Sequence, residues 1–90
     1  MLTIKRTSQF KKDFRRAIKQ GRNITDLNLV IEKLANEEIL EDKYLDHALK
    51  GEWSGFRECH INPDWLLIYL RDDKNLILSL TRTGSHEDLF

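Results

Sequence analysis

Leu2 and Ile4 alternate with Thr3 and Lys5, a period of two that predicts a short opening strand, and Thr7 or Ser8 can cap the helix that follows. Phe10, Phe14, Ala17 and Ile18 then recur at i, i+4, i+7 and i+8. That spacing gives a helix one apolar face, with Lys11, Lys12, Arg15, Arg16 and Lys19 spread over the rest and Gly21 as its stop. Thr25 reads as the N-cap of a second helix with Asp26 in its first turn and Leu27, Val30, Ile31 and Leu34 as its apolar stripe. Two short amphipathic helices joined by a few residues pair as a helical hairpin. Glu37 to Lys43 carries little periodicity and reads as a surface connection.

From Tyr44 onward the period drops to two. Phe56, Glu58 and His60 alternate with Arg57, Cys59 and Ile61, which places His60 on the strand face of Phe56 and Glu58. Asn62-Pro63-Asp64 has turn chemistry, so a hairpin joins this strand to Trp65–Leu70, a run apolar on both faces that predicts a covered central strand. A turn at Asp72 to Asn75 leads to a last strand on which Leu76, Leu78, Leu80 and Arg82 share one face. Ser85 can cap a terminal helix that starts near His86. The order β-α-α-β-β-β(-α) is an α+β fold, its helical hairpin packed on one face of a mainly antiparallel twisted sheet.

Ninety residues hold one core, so the expectation is a single domain over 1–90. The longest apolar run is far too short to span a bilayer and the first residues lack the apolar core of a signal peptide, which predicts a cytoplasmic protein with no membrane partner. Cys59 is the only cysteine and has no internal disulfide partner. The formal net charge of zero hides an asymmetry. Residues 5–22 carry eight bases against Asp13 alone, and residues 26–46 carry seven acids against Lys33 and Lys43. Lys11, Lys12, Arg15 and Arg16 on the first helix therefore form either a solvated face or a footprint for RNA phosphates.

The chemistry-bearing residues fall near the ends of elements, where sites are commonly built. His47 follows Asp46, His60 lies near the end of a strand, Asp64 and Trp65 begin the next, and Arg82 precedes a glycine turn and His86. A buried arginine needs an anion, which for Arg82 is a structural partner such as Asp64 or Glu58, or a bound phosphate. Trp65 and Phe90 read as core residues or as platforms for a base. Three histidines and a carboxylate also suit zinc, but no compact H-x-x-x-H or C-x-x-C pair is present. Cys59 and His60 point to opposite faces of their strand, so Cys59 reads as a small core residue. No glycine-rich phosphate loop appears, and no metal or other cofactor is assigned.

In the C-terminal half the chain resembles the YafQ branch of the RelE-like bacterial toxins, ribosome-dependent mRNA endonucleases of toxin–antitoxin pairs. The resemblance rests on Asp46-His47-x-Leu49-x-Gly51-x-Trp53, on Arg57-x-x-His60-x-x-Pro63-Asp64-Trp65-x-Leu67-x-Tyr69, and on Arg82-x-Gly84-x-His86 with Leu89-Phe90. It implies catalytic or substrate-contacting roles for His47, His60, Asp64, Trp65, Arg82, His86 and Phe90. It also implies mRNA on the ribosome as substrate and a cognate antitoxin as partner. The chemistry it suggests is attack of a 2′-hydroxyl on the adjacent phosphorus, which needs a base, an acid and a cation and no metal. Imidazole, with an ordinary pKa of about 6.5, suits both proton transfers. Arg82 is then the phosphate clamp, His86 the acid, His47 or Asp64 the base, and His60 an orienting or second proton-transfer group. Two other readings stand beside it: a non-catalytic RNA- or ribosome-binding module, and a metal-dependent hydrolase built on the three histidines.

Overall fold

Both long helices form where the apolar period placed them, in a computed structural model that describes residues 1–90. Strand β1 (Thr3–Arg6) leads into α1 (Ser8–Lys19), whose N-cap is Thr7: its side chain accepts from the Phe10 N–H. Gly21, at φ 73°, closes α1 in the left-handed conformation glycine favours. Helix α2 (Ile24–Ala35) is capped by Asn23, whose side chain accepts from the Asp26 N–H, and not by Thr25, which lies inside the helix. After α2 the chain makes one 3₁₀ turn at Asp42–Tyr44, a two-residue strand β2 (His47–Ala48) and a second 3₁₀ turn at Gly51–Trp53. The expected surface connection is thus partly anchored, with Leu40 and Tyr44 buried. Strands β3 (Arg57–Asn62), β4 (Trp65–Asp72) and β5 (Ile77–Gly84) and the short helix α3 (His86–Leu89) complete the chain.

The five strands lie in the order β1-β5-β4-β3-β2, with β1 parallel to β5 and all other neighbours antiparallel. This is the expected α+β architecture with an added edge strand at His47. Strand β4 is central, as its continuous apolar run required. Its Trp65, Leu67 and Tyr69 join Phe10, Ala17, Leu27, Val30 and Leu34 in the main core beneath the helices, while Leu66 and Ile68 face the other way, under Leu89 of α3. Leu49, Trp53 and Phe56 pack against that smaller cluster. The face opposite the helical hairpin is therefore only partly covered, and the polar side chains of β2, β3 and β5 occupy its open part. No helix is long and apolar enough to cross a membrane.

A bulge decides what β5 presents to this face. Tyr69 pairs with Leu80 but Ile68 pairs with Arg82, so Thr81 is an extra residue in the ladder. The side-chain alternation therefore inverts after Leu80. Leu78 and Leu80 point into the main core, whereas Arg82 shares the open face with Ile68; the expected common face of Leu80 and Arg82 does not form.

The helical face of α1 also differs from its pattern. Ile18 is 53% exposed, and its place in the buried stripe is taken by Asp13, which is 1% exposed. Past the end of β1 the Thr83 backbone has no neighbouring strand, and α1 side chains replace it: Asp13 Oδ2 accepts from the Thr83 N–H at 3.2 Å and Arg16 donates to the Thr83 carbonyl at 3.4 Å. Two polar side chains of a helix thus satisfy a sheet edge that would otherwise be buried unpaired.

Candidate active site

Glu58 is the centre of the open face. Its carboxylate is buried, with Oε1 3.4 Å from His60 Nε2 and 3.9 Å from His47 Nε2. The register explains the grouping: Glu58 and His60 are two apart on β3, and His47 of β2 stands directly opposite Glu58. Glu58 is the residue the sequence reading did not assign to the histidines. Its signal is the E-x-H alternation, which puts Glu58 and His60 on one face of β3.

His47 has a second contact. Its Nδ1 lies 2.6 Å from the Leu45 carbonyl oxygen. A carbonyl can only accept, so Nδ1 carries the proton and Nε2 of the neutral ring keeps its lone pair toward the site. A ring so held can take a proton at Nε2, and the imidazolium formed lies beside the Glu58 carboxylate.

Arg82 stands in line with this group. Glu58 pairs with Ile68 and Ile68 with Arg82, so their backbones are two strand spacings apart, about 10 Å. Its guanidinium is held by Asp13, Nε to Oδ2 at 2.8 Å and Nη2 to Oδ1 at 3.3 Å, and not by Asp64 or Glu58. Burial by itself raises the Asp13 carboxyl, but hydrogen bonds from Arg82, Gln9 and the Thr83 N–H outweigh it and hold the group below the ordinary carboxylate range. The same partner raises the Arg82 guanidinium above its ordinary value.

His86 begins α3, and its exposed ring lies 5.0 Å from that of Phe90. Phe90 is 53% exposed and meets Trp53 edge-on at 6.3 Å, leaving an aromatic surface next to His86. Ser85 caps this helix reciprocally: it accepts from the Asp88 N–H, and the Asp88 carboxylate accepts from the Ser85 N–H. Gly84 serves packing and not a sharp turn. A Cβ there would stand 2.9 Å from Arg16 Nη2 and 3.0 Å from the Asp88 Cβ.

Three expected site residues lie elsewhere. Trp65 is fully buried under the helices with Arg22 over its ring, so it has no free face for a base and is a core residue. Arg16 binds Asp13 at 3.3 Å, Asp88 at 3.7 Å and the Thr83 carbonyl, which makes it a brace between α1, β5 and α3 and not a free phosphate contact. Asp64, its side chain 81% exposed at the hairpin tip, turns to Arg22 at 3.7 Å and pairs with no histidine. Lys11, Lys12 and Arg15 remain exposed on α1 without an ion-pair partner. The three histidines form no common metal site, since no group of three His, Cys, Asp or Glu side chains is arranged to hold an ion. Cys59 is fully buried, and burial, then the charges of Asp46 and Glu58, push its thiol far above the ordinary range, so it is an inert core residue.

Comparison with known proteins agrees over the whole chain. A family model described as the bacterial toxin of type II toxin–antitoxin system, YafQ, matches residues 2–90. The mRNA interferase toxin YafQ of Escherichia coli K12 is 39% identical over 88 residues, 97% of this chain and 94% of that relative. A copper-bound mutant toxin from Helicobacter pylori superposes with a TM-score of 0.94 at 46% identity, covering 100% of both chains. YafQ in the Escherichia coli DinJ–YafQ complex superposes with a TM-score of 0.91 at 37% identity, covering 100% of this chain and 99% of that one.

Proposed function

The chain belongs to the YafQ family of toxins from bacterial type II toxin–antitoxin systems, and on that premise we propose that it is a ribosome-dependent mRNA endoribonuclease that works without a metal ion. The observation that carries the mechanism is the His47–Glu58–His60 group on the open face, with the Nδ1 proton of His47 committed to the Leu45 carbonyl. His47 Nε2 removes the proton of the RNA 2′-hydroxyl, and Glu58 stabilises the resulting imidazolium. The 2′-oxygen attacks the adjacent phosphorus while Arg82, aimed by Asp13, offsets the charge that builds on the phosphorane oxygens. His86 protonates the departing 5′-oxygen. The products are a 2′,3′-cyclic phosphate and a 5′-hydroxyl. His60 orients the Glu58 carboxylate.

Phe90, exposed beside Trp53 and His86, offers its ring to a base next to the cut. Lys11, Lys12 and Arg15 hold ribosomal RNA. A cognate antitoxin keeps the toxin silent by covering this surface; the similar Escherichia coli protein is found in a DinJ–YafQ toxin–antitoxin complex, which supports a partner of this kind. Its binding segment orders on contact.

The test is end-group mapping on programmed ribosomes with protein dialysed free of transition metals. The expected products carry 2′,3′-cyclic phosphate and 5′-hydroxyl ends, and mRNA with a 2′-deoxy sugar at the cut stays intact. Cleavage of the deoxy substrate at an ordinary rate, or 5′-phosphate ends, would mean that water attacks and would sink the mechanism. Intact natural mRNA on ribosomes that bind the protein would leave a non-catalytic module.

A further inference from the structure

His47 sits on an unusually slight element. Strand β2 is two residues long, lies at the sheet edge, and pairs only with Arg57 and Glu58 of β3. A ladder of that length holds an edge weakly, yet a general base must be placed to a fraction of an ångström. The fixing comes from behind the sheet. Asp46 precedes His47, so its side chain points to the opposite face. There it accepts from Tyr69 Oη at 2.6 Å, from Arg57 Nε at 3.3 Å and from Arg57 Nη2 at 3.4 Å. Arg57 and Tyr69 are directly opposite each other on β3 and β4. The Asp46 carboxylate therefore bolts the edge strand across one neighbour to the buried, central one.

One residue earlier, Leu45 lies at φ 49° and ψ 38°, the left-handed region that leucine seldom adopts. This conformation turns the Leu45 carbonyl to His47 Nδ1. Relaxed to an ordinary backbone, Leu45 would lose that contact and His47 its single tautomer. The residue that stops it from relaxing is the anchored Asp46 between them. Burial and then the Asp46 hydrogen bond raise the Tyr69 phenol well above its ordinary value, so it stays a donor.

We propose that Asp46, through Tyr69 and Arg57, is a positioning residue that keeps Leu45 strained and His47 in its Nδ1–H form, with Nε2 free to act as the base. It touches neither RNA nor the reacting atoms. The proposal rests on the assignment of His47 as base, and the readouts below separate the two.

The first readout needs no substrate: ¹⁵N spectra of histidine-labelled full-length protein report which ring nitrogen of His47 carries the proton. Wild type is expected to show the Nδ1–H form alone. Asp46→Ala should show a mixture, Tyr69→Phe a smaller admixture, and Asp46→Asn, whose amide oxygen still accepts from Tyr69, should return toward wild type. The second readout is single-turnover cleavage on ribosomes. Asp46→Ala should lower the rate by about 10²-fold, the loss that a 1 Å misplacement brings, with ribosome affinity unchanged and Asp46→Asn partly rescuing it. A pure Nδ1–H form in both Asp46→Ala and Tyr69→Phe would overturn the proposal, whatever the rates. If the tautomer shifts as expected while His47→Ala still cleaves normally, the positioning stands and the assignment of the base falls.

Discussion

Asp13 shows how one residue can serve two levels of the structure. It is the only acid in the basic N-terminal block, it is buried, and it holds Arg82, the Thr83 N–H and Gln9 at once. An amide in place of the carboxylate removes the anion from the guanidinium and turns one of the two accepting oxygens into a donor that faces other donors. Asp13→Asn should lower stability by about 3 kcal/mol at pH 7, measured by urea unfolding; Arg82 is partly exposed, which keeps the value at the lower end for a broken buried pair. The pH dependence follows from the sign of the shift. The folded carboxyl lies below its unfolded value of about 3.9, so its contribution is complete above that pH and is lost as pH falls through the folded pKa. The gap between wild type and Asp13→Asn should therefore narrow below about pH 4. An equal gap at pH 7 and pH 3 would mean that packing, and not charge, is the source. Cleavage should fall as well, since the clamp loses its aim.

The shortest α-helix carries the proposed acid. Helix α3 has four residues, too few to hold itself, and depends on Ser85 and Asp88 at its start, Arg16 alongside and Leu89 on the sheet. Ser85→Ala removes one half of the reciprocal cap, a change worth about 1 kcal/mol. The global melting temperature should move little, because few core contacts depend on α3. Its amides should exchange faster, and the cleavage rate should drop by several-fold as His86 spends time away from its station. Unchanged exchange at α3 would show that Leu89 and Arg16 suffice. The bulge at Thr81 acts at the same scale: one extra residue turns Arg82 from the core to the open face without altering the composition of β5.

For the molecule as a whole, charge and chemistry are carried on different surfaces. The free cations of α1 flank the helical layer, while the histidines occupy the open face of the sheet. Replacing Lys11, Lys12 and Arg15 with glutamine should weaken ribosome binding and flatten its dependence on log salt by about 2 to 3, because each lost phosphate contact releases roughly 0.7–0.9 fewer counterions. Binding with an unchanged slope would make this surface a solvated face. Arg16→Gln belongs to another class, and its first effect should be on stability and on α3.

The features legible in the sequence are those that neighbouring residues settle among themselves. They include the two helical stripes, the Gly21 stop, the Asn62-Pro63-Asp64 hairpin, the covered strand β4, the common face of Glu58 and His60, and the Ser85 cap, each set by contacts within a turn or a strand period. Tertiary structure decided which groups are brought together over long separations. Asp13 meets Arg82 across 69 residues and Asp46 meets Tyr69 across 23, and neither pairing leaves a periodic trace. The same holds for Trp65, whose burial depends on the helices above it, and for Arg16, which reaches Asp88 and the Thr83 carbonyl beyond its own helix. Local propensity chooses an element and its faces. Whether a polar side chain on such a face meets a ligand or an internal partner depends on what the fold sets opposite it: Arg82 for Asp13, Asp88 and the Thr83 carbonyl for Arg16, and Tyr69 for Asp46 all come from other elements.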